Sequence, residues 1–107
     1  MKPKVFISSP YTIGDVGLNV KAQIKAADEL MNNGFTPFLP LLSHFQHIIY
    51  DRPYQDWLNN DFEWLAVCDY VLRLPGESAG ADLEVIRANE LGIKVVYSID
   101  ELKKLKP

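Results

Sequence analysis

The chain has 107 residues, enough for one small domain and too few for a second core. Hydrophobic residues at 48% and charged residues at 23% are ordinary values for a globular domain, and the net charge of −3 argues against a polybasic surface for duplex nucleic acid or anionic lipid. A lone cysteine, Cys68, excludes an intrachain disulfide, and its apolar surroundings (AVCDYVL) mark it as a core thiol. No apolar run approaches the roughly 18 residues of a membrane helix, and the start, MKPKVFISSP, carries too short an apolar segment for a secretory signal. A soluble, cytoplasmic protein is expected.

In chain order, Lys4 to Ser9 (KVFISS) reads as a buried strand, which Pro10 ends. Tyr11 to Leu18 carries Gly14 and Gly17 and reads as a loop. Asn19 is the expected N-cap of a helix running to Gly34, with Val20, Ile24, Ala27 and Met31 facing the core. Phe35 to Leu39 reads as a second strand, placed at a sheet edge by Pro37, which removes a ladder donor. Pro40 to Tyr54 is irregular and long for a connection, with His44, His47, Tyr50, Arg52 and Tyr54 in it, and has room for a short helical turn.

Gln55 to Val67 is expected to be an amphipathic helix burying Leu58, Phe62, Leu65 and Ala66. Asp69 to Leu74 reads as the central strand, apolar except for Arg73, and Pro75-Gly76 ends it. Ser78 is the expected N-cap of a helix to Leu91, closed by Gly92. Ile93 to Tyr97 reads as a fourth strand, and Ser98 to Lys106 as a helix with a basic end formed by Lys103, Lys104 and Lys106. Alternation of strand and helix implies a parallel sheet with right-handed crossovers, and a ligand outside the carboxyl ends of its strands. The loop from Ser9 to Gly14 and the turn from Pro75 to Gly80 meet at that edge.

Two carboxylates stand out. Glu84 falls in the second turn of its helix, and three of its four neighbours on the same face (Gly80, Ala81, Arg87 and Ala88) are small, which leaves space for a ligand. The plainer alternative is a surface ion pair with Arg87. Asp61 lies in the preceding helix, where Asp is a poor interior residue, and the plainer alternative is a solvated acid. Ser78, Ala79 and Gly80 offer a helix start to an anion, although N-capping alone also explains Ser78. The turn contains neither a Walker loop nor GxGxxG. His44 and His47 lack a third ligand at convincing spacing, so no metal is expected.

With both acids in view, the chain resembles the nucleoside 2′-deoxyribosyltransferase superfamily, which includes the 2′-deoxynucleoside 5′-monophosphate N-glycosidases. The likeness runs through FISSPY, NVKAQIKAADELMNNGF, NNDFEWLAVCDYVL and SAGADLEVIRANELGI. It implies one domain over residues 1–107, with a three-layer Rossmann/flavodoxin-like α/β fold. The sheet would hold four or five parallel strands in the order 2-1-3-4, with helices on both faces. It also implies cleavage of an N-glycosidic bond in a nucleoside or nucleoside 5′-monophosphate, by hydrolysis or transfer, with Glu84 as nucleophile and Asp61 assisting at the base. No cofactor is implied. Ser9, Tyr11, Thr12, Gly14, Ser78 and Gly80 would hold sugar and phosphate, and His44 or Tyr54 would close over the base.

The transferases of that superfamily have Asp where this chain has Ser78, whereas the monophosphate glycosidases have Ser. The first-loop Arg of the glycosidases is replaced here by Tyr11 and Thr12. A family glycine is Asp82, and a first-strand Tyr of the transferases is Phe6. A binding module that kept the pocket without turnover is the alternative. A homodimer or higher even-numbered oligomer is expected, with Tyr50, Trp57 and Trp64 supplying apolar contact.

Overall fold

The computed structural model of the chain describes residues 1–105. Four parallel strands form one sheet: β1 (Lys4–Ser8), β2 (Thr36–Phe38), β3 (Tyr70–Arg73) and β4 (Lys94–Val96), in the spatial order β2-β1-β3-β4. The register pairs Phe6 with Phe38 on one side and with Val71 on the other, and sets Ser8 beside Arg73. Pro37 does lie on an edge strand, as the missing donor requires. Among the described residues there are five α-helices, α1 (Val16–Asn32), α2 (Ser43–Ile49), α3 (Tyr54–Leu65), α4 (Ala79–Glu90) and α5 (Ile99–Leu105), with a 3-10 turn at Pro40–Leu42; α2 buries no residue against the sheet. Among the described residues no helix is long and apolar enough to cross a membrane.

The period-two alternation of β1 splits the core in two. Val5 and Ile7 pack with Ala26, Ala27 and Leu30 of α1 and Leu102 of α5. Phe6 points the other way, into a cluster with Leu65, Cys68, Val71 and Ala88. Trp64 extends that layer by stacking on Phe38 with ring centroids 5.1 Å apart. Burial pushes the Cys68 thiol up to about 11, so at neutral pH it is an inert core group.

Three local expectations are corrected. The N-cap of α1 is Asp15, whose carboxylate accepts the Leu18 N–H at 2.9 Å, while the Asn19 amide donates to the carbonyls of Tyr11 and Ile13, each at 2.9 Å. The buried stripe of α1 runs through Val20, Gln23, Ala26, Ala27 and Leu30, leaving Ile24 and Met31 exposed. Gln23 takes the core position because all its polar atoms are satisfied. Its amide donates to Ile7 O at 3.0 Å and Ser9 Oγ at 2.8 Å, and its carbonyl accepts Leu41 N–H at 2.9 Å. Ala66 is exposed beyond the end of α3. The expected basic end of the last helix includes Lys106, which lies outside the described residues.

Candidate active site

In parallel α/β sheets the helices run back against the strands, so the N-termini of α3 and α4 both lie toward the carboxyl edge. Ser78 caps α4, its hydroxyl oxygen accepting Ala81 N–H at 3.1 Å. One and a half turns on, Glu84 faces inward and is 6% exposed. The expected alternative pairing with Arg87 does not occur; that guanidinium pairs with Glu90 at 3.7 Å.

Glu84 has two polar partners. The Ser8 hydroxyl at the end of β1 donates to Glu84 Oε1 at 2.7 Å, and the Asp61 carboxyl hydrogen-bonds to it from α3. Two carboxyl groups hydrogen-bonded to one another need a shared proton. Burial pushes Asp61 up to about 7, while its hydrogen bond to Glu84 pulls the other way. Burial pushes Glu84 up to about 8 against the Ser8 hydrogen bond, and the negative charge of Asp61 adds to the rise. Burial of the pair disfavours two negative charges side by side, so at neutral pH the two carboxyl groups hold about one proton between them. Arg73, next to Ser8 on β3, works against the rise at Glu84, since its positive charge favours the Glu84 carboxylate.

Arg73 is itself tied down. Its guanidinium donates to the carbonyls of Leu74 and, at 2.9 Å, Gly76, and pairs with Asp82 at 3.2 Å. Asp82, which replaces a glycine of the resembling family, is thereby neutralised. The β3–α4 turn is packed tightly: a side chain on Gly76 would meet Pro10 at 2.7 Å, and Gly76 has a φ of +120°.

The remaining expected residues are spread around the edge. Ser9 points to the α1 face and accepts from Gln23 at 2.8 Å, so Ser8 holds the position by Glu84 instead. The alternation in KVFISS carried that signal, since Ser8 shares the face of Phe6. The Tyr11 hydroxyl meets Nδ1 of His44, which joins the first loop to α2. Thr12 and Gly14 are exposed in that loop. His47 is engaged elsewhere, accepting from Trp57 Nε1 at 2.8 Å and facing Asp51 at 3.1 Å. Among the described residues no cluster of three or more His, Cys, Asp or Glu is placed to hold a metal.

Two open hollows of about 490 and 560 Å³ flank Tyr97 on either side of Leu74 and Pro75, and neither is lined by Asp61 or Glu84. Glu84 is buried and Asp61 half-buried beside the strand ends, and a pair of acids with raised pKa in such a place is a candidate site whatever the size of the nearby hollows.

Among solved structures the chain is similar to a 2-deoxyribosyltransferase from Bacillus psychrosaccharolyticus. The TM-score is 0.62 and the identity 20%, over 86% of this chain and 69% of that one, a likeness of fold. No protein of curated function matches the sequence. A family profile covers residues 3–98, almost the whole chain, and the protein accordingly belongs to the family described as a domain of unknown function, DUF7768.

Proposed function

We propose that the protein cleaves the N-glycosidic bond of a nucleoside or nucleoside 5′-monophosphate, with Glu84 as nucleophile and Asp61 as acid. The observation that carries this reading is the buried, hydrogen-bonded Asp61–Glu84 pair at the carboxyl edge of the sheet. A pair holding one proton has the two groups the reaction needs. With that proton on Asp61, Glu84 is the carboxylate and Asp61 the acid. Glu84 then forms a bond to the anomeric carbon as the bond from that carbon to the base nitrogen breaks. The electron pair leaves with the base, which takes the proton from Asp61. In the second half Asp61, now ionised, accepts a proton from water, the oxygen bonds to the anomeric carbon, and Glu84 is released. A second base in place of water gives transfer. Ser8 orients Glu84, and Arg73 moderates the charge around it.

The fold shared with a deoxyribosyltransferase supports the substrate class, and Ser78 at the start of α4 supports a phosphorylated one. The test is a panel of nucleosides and nucleotides, with and without an acceptor base, assayed for free base by chromatography. Wild type is expected to release base and Glu84→Ala to lose at least about a thousandfold. A second reading, a nucleotide-binding module without turnover, is favoured by the near-complete burial of Glu84. Nucleotide binding by wild type with no base released from any member of the panel would establish it.

We further propose that the protein is a homodimer. Phe45, Ile48, Ile49 and Tyr50 of α2 and its end, each at least 58% exposed, form its contact surface.

A further inference from the structure

Glu84 presents almost no surface to solvent, and neither described hollow reaches it. At the sheet edge the first turns of α3 and α4 lie against one another through Tyr54 and Gly80. Tyr54 and Asp61 lie seven residues apart on α3, two turns along one face. Gly80 and Glu84 lie four apart on α4, one turn along the facing side. The two rows meet in levels. Asp61 against Glu84 is the inner level, with Ser8 beneath it. Tyr54 against Gly80 is the outer level.

The outer contact depends on the missing side chain. A Cβ on Gly80 would lie 3.0 Å from Tyr54 Oη and 3.9 Å from Cε2 and Cζ. The phenol lies within the field of both acids: burial holds its proton on more tightly than usual, and the charges of Glu84 and then Asp61 strengthen that hold. Yet among the described residues its hydroxyl has no hydrogen-bond partner, and Tyr54 is 58% exposed. Packing alone holds the ring, so rotation at its first side-chain torsion swings it into solvent at small cost.

We propose that Tyr54 is the gate of the site and a substrate-contacting residue. Turned onto Gly80, its ring shields the Asp61–Glu84 pair. Turned away, it opens the slot through which a sugar reaches Glu84, and its free hydroxyl donates to an oxygen of that sugar. The gate is independent of the reaction; the sugar contact rests on the glycosidase reading.

Carboxyl labelling tests the gate without any turnover. The protein is treated with a water-soluble carbodiimide and a small amine, and modification of Glu84 is followed by peptide mass spectrometry. Tyr54→Ala removes the gate. Gly80→Ala displaces it, and because Ala is the better helix residue by up to about 1 kcal/mol this change does not unfold α4. Both are expected to raise the labelling rate of Glu84 at least about tenfold, a gate closed by about 1.4 kcal/mol. Tyr54→Phe keeps the ring and is expected to label as wild type does. Melting curves confirm that all variants are folded. Wild-type labelling rates in folded Tyr54→Ala and Gly80→Ala would overturn the gate. The sugar contact is read from kinetics: Tyr54→Phe is expected to raise KM with little change in kcat, and an unchanged KM would overturn it. If wild type releases no base, the glycosidase reading and the sugar contact fall while the labelling result still decides the gate. If base is released and labelling does not change, the gate alone falls.

Discussion

Glu84 and Asp61 carry a cost that grows with pH. Both hold their protons more tightly in the folded chain than in the unfolded one, where they ionise near 4.5 and 3.8. Between those values and about 7 to 8 the native state therefore binds more protons than the unfolded state, and the stability of the fold falls as pH rises through that window. Above it the loss is constant. Glu84→Gln keeps an acceptor for Ser8 and gains a donor for Asp61 while removing a proton-binding group. At pH 8.5 the variant is expected to be more stable than wild type by about 2 kcal/mol, and near pH 4 to differ little, as read from urea unfolding at each pH. Activity should follow a bell with its maximum in the neutral range, since losing the pair's shared proton removes the acid and gaining a second removes the nucleophile. The spacing of the two acids around the third strand made them candidates and no more, since a surface ion pair and a solvated acid explained it equally plainly; their proposed roles rest on the family resemblance. Ser8 was not singled out, because its neighbour Ser9 offers the same hydroxyl and only the facing direction of β1 separates them.

The elements show where local signals compete. Asn19 and Asp15 are both good N-caps, and Gly14 and Gly17 made the residues between them look like loop. The helix nevertheless starts at Val16, because the Asn19 amide is drawn to two loop carbonyls and Asp15 is left to cap. The buried stripe shifted by one position on α1 for a related reason. Gln23 looks like a surface residue until the three backbone and side-chain partners around it are known. The α2 segment, seven residues with no buried member, was too short and too polar at its start for periodicity to show it. Ser78, by contrast, has no competitor and was placed correctly. Ser78→Ala is expected to cost about 1 kcal/mol in the ligand-free protein, measured by chemical denaturation, by freeing the Ala81 N–H and loosening the turn that holds Gly80.

On the scale of the whole molecule the alternation of strand and helix was enough for a parallel sheet, the strand order came with the family resemblance, and the edge position of β2 followed from one proline. What a sequence of this length does not announce is which surface stays uncovered. The side chains of Phe45, Ile48, Ile49 and Tyr50 stand exposed on one short helix and its end, away from the core. Light scattering at micromolar concentration is expected to give twice the chain mass, and Ile48→Lys to return the single-chain mass; a wild-type monomer would refute the dimer. The buried thiol supplies the means to watch such events. Because Cys68 stays protonated and enclosed, a maleimide dye would ignore it, and a cysteine introduced on α2 would be the sole attachment point without any prior substitution. A fluorophore placed there would report assembly, and one placed near the first turn of α3 would report ring motion, on an otherwise unaltered chain.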